Sequence, residues 1–539
     1  MLNYLNLSKK YTSAYFLLLL ANLLCVVVQM DAQQKPPESF SYDELKTLYD
    51  QETLSPPLSA KLKNLLTIPL VDNAQKNRRV SLSNSSGIGE CLRVATWNIE
   101  RGLEYDAIAA ALGNEKDLTV ILNERKSPLR ASERAELLKQ AALLRAADVI
   151  VLNEVDNGMK RTDYRNVAGD LAKHLRMNYA YGVEFVELSP VHLSELPPSS
   201  DNDENDVSKI IKVDPALYKG LTGTAILSRF PLENVRLVPF VAQSYDWYKS
   251  EKQKTGLLEK GRRELSKRIF LEETLREVRR GGRMMLLADI ADARLPAGRL
   301  TIVATHLENK TKSANRLREL NELLGAIKDI KNPIVVAGDM NTSTEDLTPT
   351  SFRHEFTKRY GNPKYWLRMG ISLALGLDFL EDLVFDGITL WHNQSDPTVH
   401  SIPLFAPNPE RKFFQALKEF RFSDGGAFDF RGDPSRSANG RAKTLANSNE
   451  RGGKGFITTF QVNRPIKFIG RYKLDWIFVK PMDLNKPNDN EASYRLAPHF
   501  GRTLTKINKL LKSRISDHHP LIVDLPIAEP PNNPANKNE

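Results

Sequence analysis

Short apolar runs bounded by polar residues, glycine or proline recur along the chain from Cys91 onward. Runs of this kind are typical of β-strands, and their mostly continuous apolar character predicts strands that are buried on both faces. The predicted strands are CLRVATWNI, ADVIVLNEV, GTAILSR, MMLLADI, LTIVATHL, NPIVVAGDMN, YKLDWIFV and HHPLIVDL. Helical runs at residues 132–147 and 312–330 lie between some of them. Many strands with intervening helices predict stacked sheets covered by helices, which is an α/β (α+β) class.

Residues 33–90 precede this strand-rich region, and we predict that they form an N-terminal extension. Ser41 and Glu44 have the spacing of a capping box, which predicts the start of a short helix. The run PLSAKLKNLLT predicts a second helix, and NSSGIGE predicts a linker. The domain that follows is predicted to span residues 91–527, and residues 528–539 are predicted to be a disordered tail.

Three stretches inside this domain interrupt the strand pattern and are interpreted as insertions, at residues 189–215, 244–283 and 361–460. The second of these insertions is predicted to be long, helical and basic. Residues 431–473 hold ten lysines and arginines against two acidic residues, and four aromatic residues are interleaved with them: Phe456, Phe460, Phe468 and Tyr472. Two interpretations stay open for this basic run. It binds a nucleic-acid backbone and stacks bases, or it is a solvated basic face whose aromatic residues belong to the core.

The first 32 residues have the pattern of a signal peptide. Lys9 and Lys10 precede AYFLLLLANLLCVVV, an apolar core of 15 residues. This core is short for a membrane span, which needs about 20 residues. We therefore predict export to the periplasm or the extracellular space, with an uncleaved membrane anchor as the alternative.

The overall composition is that of an ordinary globular protein, with 41% hydrophobic and 26% charged residues among 539. The formal net charge of +10 favours anionic partners, such as nucleic acid, phosphoesters or lipid head groups.

Polar side chains with catalytic potential follow or precede the predicted strands. They are Asn98 and Glu100; Asn153, Glu154 and Asp156; His306; Asp339 and Asn341; Asp475; and Asp517, His518 and His519. A polar turn at one strand end is commonplace, but a whole set of carboxylates, amides and imidazoles is not. Carboxylate and amide oxygens suit Mg²⁺, Mn²⁺ or Ca²⁺, and the chain contains no HExxH, GxSxG or Walker motif. The pattern therefore predicts metal-assisted hydrolysis of a phosphoester.

The motifs ATWNIERG, LNEVD, GTAILSR, ATHLEN, AGDMN, LDWIFV and SDHHP occur in this order between Cys91 and Leu525. In sequence and order they resemble the endonuclease/exonuclease/phosphatase superfamily, the deoxyribonuclease I-like proteins. Each motif is short, and the specificity of the resemblance comes from finding seven of them in order. The resemblance implies a four-layer α/β/β/α sandwich of two mostly antiparallel sheets flanked by helices, with large insertions and with the site at the strand ends.

The resemblance also implies a metal site. Glu154 would be the main metal ligand, with Asn98 beside it and Asp517 as a second ligand. Mg²⁺ is the expected ion, with Mn²⁺ or Ca²⁺ as alternatives.

The catalytic roles that the resemblance implies fall on five residues. Asp339 would orient or deprotonate the attacking water, and Asn341 would hold the water and the scissile phosphate in line. His306 would stabilise the pentavalent phosphate. His518, paired with Asp475, would contact the phosphate or act as general acid and base.

The two adjacent histidines are predicted to differ in role. The resemblance implies that the reactive imidazole is His518. Neighbouring side chains in an extended segment face opposite ways, so His519 is expected to point away from the site and to be structural.

The leading prediction is a secreted metal-dependent phosphoesterase that cleaves phosphodiester bonds by in-line attack of an activated water, first of all a nuclease. The alternatives are a sphingomyelinase-type lipid phosphodiesterase, a sugar or inositol phosphatase, and a non-catalytic anion-binding relative. The expected partner is a phosphoester substrate, including nucleic acid. No obligate protein partner is expected, and membrane contact is expected only if the substrate is a lipid.

Overall fold

Each apolar run predicted as a strand forms a strand in the computed structural model, because alternate side chains of these runs pack into different cores. In the first long strand, Leu92 and Val94 enter one core, whereas Ala95 and Trp97 enter another. The two-residue period of a strand produces this alternation. Continuous apolar character therefore marks strands that have packed layers on both sides.

The structure describes residues 36–75, 78, 80–124, 129–189, 213–252, 277–342, 398, 410–453, 455–466, 469–511 and 514–530. The predicted signal peptide lies outside these residues, as do most of the first and second predicted insertions, about half of the third and most of the predicted tail. Within the described ranges, no helix combines the length and apolar character that a membrane span requires.

The α-helices of the described residues are α1 (Tyr42–Asp50), α2 (Pro56–Thr67), α3 (Tyr105–Leu112), α4 (Glu115–Glu124), α5 (Ala131–Arg145), α6 (Val167–Leu175), α7 (Lys249–Lys252), α8 (Ser313–Ile327) and α9 (Arg411–Glu419). Short 3₁₀ turns lie at Lys160–Thr162, Pro296–Gly298, Pro434–Arg436 and Ile507–Lys509.

The strands are β1 (Leu70–Asp72), β2 (Ser83–Ser85), β3 (Gly89–Arg101), β4 (Val149–Asn157), β5 (Asn178–Glu187), β6 (Leu221–Ser228), β7 (Leu232–Pro239), β8 (Arg279–Gly281), β9 (Met284–Ala291), β10 (Arg299–His306), β11 (Ile334–Asp339), β12 (Phe460–Ile466), β13 (Ile469–Tyr472), β14 (Asp475–Lys480), β15 (His499–Thr503) and β16 (Leu521–Pro526).

Two large sheets form the centre of the fold. The first runs in the order β1-β5-β6-β4-β3-β16-β15, with β2 paired to β3 and β8 paired to β5. The second runs β14-β11-β10-β9-β7. The pairs β3–β4 and β10–β11 are parallel, and the other pairs in the two sheets are antiparallel.

The two sheets pack face to face through one apolar core that takes side chains from both, including Val151 of β4 and Ile302 of β10. A second core joins the outer face of the first sheet to α1–α6, and a third joins the outer face of the second sheet to α8 and α9. The predicted four-layer α/β/β/α sandwich of two mostly antiparallel sheets is confirmed.

The segment before the first motif packs into this sandwich. Ser41 and Glu44 form the predicted capping box, with Ser41 N–H donating to Glu44 Oε2 at 2.7 Å. Leu45 and Leu48 of α1 are fully buried in the helix-side core of the first sheet. The prediction of a linker at NSSGIGE is wrong, because Asn84 and Ser85 belong to β2, Gly89 and Glu90 belong to β3, and the residues between them form the turn that joins the two paired strands. These polar residues form a strand because they pair with β3, and their composition alone does not predict a strand.

The basic run at residues 431–473 is partly internal where the structure describes its side chains, with Arg441, Lys443 and Arg471 exposed. Arg431 and Arg436 are buried and both pair with Asp429. The guanidinium of Arg451 lies 4.2 Å from the ring centroid of Phe456, which belongs to the third core. Of the two open interpretations, the core assignment of the aromatic residues holds for Phe456. These buried arginines neutralise internal carboxylates and cover aromatic rings, so they do not present a nucleic-acid-binding face.

Candidate active site

Strand topology brings the predicted site residues to one edge of the sandwich. In the parallel pairs β3–β4 and β10–β11 the carboxyl ends lie together, and His306 is in register with Asp339. The antiparallel strand β14 places its first residue, Asp475, opposite Asp339. Strand β16 is antiparallel to β3, so the segment just before it lies next to the end of β3. All the predicted site residues therefore lie at or next to this edge.

Bulges redirect the ends of β3 and β4 at this edge. The register between these strands shifts after Asn98, and the register between β4 and β6 shifts after Leu152. Glu100, Arg101 and Glu154 have φ values of 47°, 67° and 51°. Left-handed backbone at non-glycine residues is unfavourable and is characteristic of functional sites. Here the bulges break the two-residue alternation, so that side chains close together in sequence can point toward the same site.

Asn98 links two carboxylates. Its Nδ2 donates to Glu154 Oε1 and to Asp339 Oδ2, both at 3.2 Å, and the Asn98 side chain is buried. The two carboxylates on which the metal and water roles were predicted therefore share one amide donor.

Asn153, the residue before Glu154, ties four strands together beneath the site. Its Nδ2 donates to Thr305 O at 3.0 Å and to Thr224 Oγ1 at 2.9 Å, and its Oδ1 accepts from Asp339 N–H at 2.9 Å. Close packing here requires the glycine before Asp339, because a Cβ on Gly338 would lie 1.9 Å from Thr305 O. Asn153 therefore positions Asp339 from the interior.

Asn341 lies two residues beyond Asp339 in a left-handed turn with φ 48°. Its backbone N–H donates to Asp339 Oδ1 at 3.0 Å, and its Nδ2 donates to Leu307 O at 2.9 Å. The turn fixes both the Asp339 carboxylate and the Asn341 side chain, and the Asn341 Oδ1 atom is the part of the amide that these bonds leave for a water.

His518 forms a charge-assisted pair with Asp475. Its Nδ1 lies 2.7 Å from Asp475 Oδ2, and its Nε2 lies 3.6 Å from Asp339 Oδ2. Burial lowers the pKa of His518, but the charges of Asp475 and Asp339 outweigh burial and raise the pKa well above the usual value. The backbone is fixed as well, since Trp97 Nε1 donates to His518 O at 2.9 Å. His518 is therefore held as an imidazolium beside Asp339.

His306 occupies the other side of Asp339 and has the opposite electrostatic setting. Its Nε2 also lies 3.6 Å from Asp339 Oδ2, but its Nδ1 lies 2.8 Å from Arg283 Nη1. A guanidinium can only donate, so Nδ1 must accept and the ring proton must sit on Nε2. Burial, the Arg283 charge and the His518 charge all lower the pKa of His306 well below its usual value. His306 is therefore a neutral imidazole that presents its Nε2–H group to the site.

Asp339 lies between these imidazoles and is almost fully buried. Burial raises the pKa of Asp339 to about 7, with contributions from the Asp475 and Glu154 charges, although the His518 charge opposes the shift. A pKa near neutrality suits a carboxylate that accepts a proton during catalysis.

Asp517 was predicted as a second metal ligand. Its backbone N–H donates to Glu100 Oε2 at 2.9 Å, and Glu100 also pairs with Arg514 at 3.3 Å. Ser516 Oγ lies 3.5 Å from the Asp517 carboxylate. Its role as a metal ligand stays a prediction.

His519 does not join the cluster around Asp339. Its backbone N–H donates to Thr459 O at 2.7 Å, and its Nδ1 is buried without a partner among the described residues. Burial and the His518 charge lower the pKa of His519 to about 4. Its ring is therefore neutral at neutral pH, which fits the structural role predicted for it.

The structure adds site residues to which no role was assigned from the sequence. A pocket beside Glu154 and His306 is also lined by Arg101, Trp247, Glu277, Arg279 and Arg283. Four of these residues come from the two described ends of the predicted basic insertion at residues 244–283. The one signal in the sequence was the basic character of that insertion, and it could not show which arginines would reach the site.

The donor set fits a divalent cation. Glu154, Asp339 and Asp475 bring three carboxylates to a buried edge, and Asp475 Oδ1 is buried without a hydrogen-bond partner among the described residues. Oxygen donors of this kind are those that Mg²⁺ and Mn²⁺ prefer. Asp339, Asp475 and His518 have ligand atoms within 4.8 Å of one another, but His518 Nδ1 is already bonded to Asp475. Glu154 is the better candidate for the ion. Asn98 would have to coordinate through Oδ1, which accepts from Glu100 N–H at 3.1 Å, because its Nδ2 faces the two carboxylates.

Comparisons with known proteins agree with the motifs. The model of the Endonuclease/Exonuclease/phosphatase family matches residues 95–518. Among solved structures, an endonuclease/exonuclease/phosphatase from Beutenbergia cavernae DSM 12333 shares 17% identity over 82% of this chain and 73% of that chain, with a TM-score of 0.36. The 3'-5' exonuclease NExo from Neisseria meningitidis shares 11% identity over 80% of this chain and 99% of its own, with a TM-score of 0.35. No curated protein matches the chain.

Proposed function

Because the chain belongs to the endonuclease/exonuclease/phosphatase family, whose members hydrolyse phosphoester bonds, we propose that it is a metal-dependent phosphodiesterase with nucleic acid as its first substrate candidate. The observation that carries this proposal is the arrangement around Asp339. Its Oδ2 lies 3.6 Å from an imidazolium on one side and 3.6 Å from a neutral imidazole on the other. Hydrolysis by in-line attack needs such an acceptor, a proton donor and a neutral hydrogen-bond donor near one phosphate.

Each side chain has a task in this scheme. Asp339 accepts the proton of the attacking water, and Asn341 orients that water through its free amide oxygen. His306 donates a hydrogen bond from Nε2 to a non-bridging phosphate oxygen as negative charge develops. His518 donates its proton to the leaving oxygen, and Asp475 keeps the ring charged and oriented until it does.

Glu154 and Asn98 would hold the divalent ion, first of all Mg²⁺, with Mn²⁺ or Ca²⁺ as alternatives and Asp517 as a proposed additional ligand. When bound, such an ion neutralises phosphate charge and stabilises the leaving group. Without it, three carboxylates next to the phosphate would repel the substrate.

The net charge of +10 supports a polyanionic substrate over a zwitterionic lipid. A sphingomyelinase-type activity and a sugar or inositol phosphatase activity are the alternatives. We further propose export of the protein, on the basis of the pattern in the first 32 residues.

A substrate panel tests the proposal. Purified protein is assayed for release from DNA, RNA, sphingomyelin and sugar phosphates, with Mg²⁺ and with excess EDTA. We expect cleavage of nucleic acid that EDTA abolishes and that added Mg²⁺ restores. Binding to nucleic acid should weaken steeply with salt, because backbone contacts release counterions.

Asp339→Ala serves as the inactive variant, and Asp329→Asn, at an exposed aspartate after α8, is the matched control. A parent protein that retains an anionic ligand but cleaves none of these substrates would show a non-catalytic anion-binding relative instead. Activity that is equal in EDTA and Mg²⁺ would contradict metal dependence.

A further inference from the structure

One arginine at the catalytic pocket is buried but incompletely neutralised. Arg279 lines the same pocket as Glu154 and His306, and the residue is only 8% exposed. Its single ion-pair partner among the described residues is Glu277, with 3.4 Å between Nη1 and Oε2. Glu277 also pairs with Arg101. Two guanidinium groups therefore share one carboxylate at the wall of the pocket.

Aromatic rings hold the Arg279 guanidinium in place. Its Cζ lies 3.5 Å from the ring centroid of Trp247 and 3.9 Å from that of Phe185. The two rings pack edge to face, with centroids 5.9 Å apart. Stacked guanidinium groups bind anions through the N–H groups along their edge. The Nε atom on that edge is buried and has no hydrogen-bond partner in the described parts of the chain.

The neighbouring Arg283 lines the same pocket, and its guanidinium has a fuller set of hydrogen-bond partners. Arg283 donates to Glu184 at 2.8 Å, to Glu308 at 3.3 Å and to His306 at 2.8 Å. Burial lowers the pKa of both arginines. At Arg283 the charges of Glu308 and Glu184 outweigh burial and raise the pKa, whereas at Arg279 burial prevails. Arg283 has its anions within the protein, whereas Arg279 has only the shared carboxylate of Glu277 among the described residues.

A buried cation without a full set of partners is unfavourable unless a ligand completes it. The ligand that fits this position is an anion, because the Arg279 Nε–H, which has no partner among the described residues, is a charged donor, and charge-assisted hydrogen bonds favour phosphate or carboxylate. Its position follows from the pocket, which also contains the His306 that faces Asp339. The anion would therefore belong to the substrate, next to the group that is cleaved.

We propose that Arg279, clamped between Phe185 and Trp247, forms a subsite for a second phosphate of the substrate that flanks the scissile phosphoester. The inference rests on the proposed function and narrows its substrate class. Substrates with a flanking phosphate include oligonucleotides and sugar bisphosphates, whereas a choline phospholipid offers no such group. The two ends of the insertion at residues 244–283 supply both Arg279 and one of the rings that hold it.

Matched substrate pairs test the subsite. A dithymidine phosphate is compared with its 5'-phosphorylated and 3'-phosphorylated forms, and a sugar monophosphate is compared with the corresponding bisphosphate. We expect the native protein to favour the additional phosphate in one pair by roughly tenfold to a hundredfold in kcat/KM, mainly through KM, as expected for hydrogen bonds to a charged group. Preference within the first pair indicates an oligonucleotide, and preference within the second indicates a small phosphoester.

In Arg279→Gln this preference ratio should fall to about one, and Arg279→Lys should keep an intermediate ratio, because it retains the charge without the planar fork. Arg495→Gln, which removes an exposed surface arginine paired with Asp483, should keep the native ratio. A native protein that hydrolyses both members of every pair equally well overturns the subsite and leaves the proposed function standing.

A binding measurement separates the subsite from turnover. In EDTA the carboxylates around Asp339 repel anions, so inorganic phosphate should bind at Arg279 alone. Phosphate is titrated while tryptophan fluorescence is recorded, with Trp247→Phe identifying the contribution of the ring stacked on Arg279. We expect saturable quenching in the native protein, weaker binding in Arg279→Lys and none in Arg279→Gln. Phosphate binding without any hydrolysis supports the subsite and contradicts the proposed function, and absence of binding by the native protein overturns the subsite even if Arg279→Gln does not fold.

Discussion

The two histidines that flank Asp339 have the same distance to its carboxylate and opposite surroundings. Nε2 lies 3.6 Å from Asp339 Oδ2 in both His306 and His518. The Nδ1 of His518 faces the Asp475 carboxylate at 2.7 Å, and the Nδ1 of His306 faces the Arg283 guanidinium at 2.8 Å. A carboxylate supports the charged ring, and a guanidinium excludes it. The difference teaches that the group behind each ring, more than its distance to the carboxylate, decides which histidine can give up a proton.

This contrast assigns separate chemical tasks to two residues of the same type. His518 can act as the general acid, because it carries a proton that it can lose. His306 can only donate a hydrogen bond from a neutral ring, which suits an oxygen that becomes more negative in the transition state.

Removing the shared carboxylate should have the largest effect. In Asp339→Asn we expect kcat to fall by about 10³-fold to 10⁴-fold, because the proton acceptor is lost. The folded pKa of about 7 lies above the unfolded value of 3.8, so the stability linked to Asp339 is full below pH 3.8 and is lost as pH rises toward 7. At pH 8 the variant should therefore be more stable than the parent by on the order of 1 kcal/mol.

Urea unfolding at pH 8 and steady-state kinetics measure the two effects together. Asp329→Asn should change neither quantity. A variant that loses activity and also loses stability at pH 8 would contradict the raised pKa of the buried Asp339 carboxyl.

Leaving groups distinguish the two histidines. His518→Ala should reduce cleavage of a natural phosphodiester by about 10²-fold to 10⁴-fold, because protonation of the leaving oxygen is lost. The deficit should shrink for an activated aryl ester such as a p-nitrophenyl phosphodiester, whose leaving group needs no proton. His306→Ala should impair both substrates to a similar degree, since it weakens stabilisation of the phosphate itself. Equal deficits of the two variants on the activated ester would refute the division of tasks.

Much of the fold could be predicted from the sequence, because the central strands have packed layers on both faces. Residues 149–152 are all buried, so the run is apolar throughout and visible by itself. Strand β5 was not predicted, since it includes Glu184 and Glu187, whose arginine partners Arg283 and Arg161 lie far away in the chain. In a sequence, a buried acidic residue cannot be distinguished from an exposed one unless its ion-pair partner is known. Strand β7 was missed for another reason, because it is an edge strand with mostly exposed or half-buried residues.

Part of the candidate site could be predicted for a related reason. Side chains such as Glu154 and Asp339 could be predicted because they end recognisable strands, and strand ends converge at one edge of the sandwich. The charge states could not be predicted, because they depend on what lies behind each ring. Arg283 and Arg279 come from the end of an insertion with no motif, and only the three-dimensional structure brings them to His306 and Trp247.

Replacing Arg283, whose guanidinium contacts Nδ1 of His306, should have a moderate effect on catalysis. Arg283→Lys keeps a positive charge beside Glu184 and Glu308 but loses the fork that contacts both carboxylates and His306. We expect kcat/KM to fall by roughly tenfold. The decisive readout is nitrogen NMR of the His306 ring, which should show a proton on Nε2 and none on Nδ1 in the parent at pH 7. In the variant, the ring should begin to take up a second proton at higher pH than in the parent. A parent His306 that is doubly protonated at pH 7 would contradict the contrast with His518.

The smallest catalytic effect is expected from the histidine next to the acid. His519→Ala should leave kcat within about twofold, because the ring lies outside the cluster around Asp339. Its effect should appear in stability against pH. The pKa of His519 is lowered to about 4 from an unfolded value of 6.5, so its contribution to stability is complete above pH 6.5 and is lost as pH falls toward 4. The parent should therefore lose more stability than His519→Ala between these two pH values, as measured by urea unfolding at several pH values. If His519→Ala instead lost as much turnover as His518→Ala while remaining folded, His519 would also take part in catalysis. The assignment of the general acid to His518 alone would then be wrong.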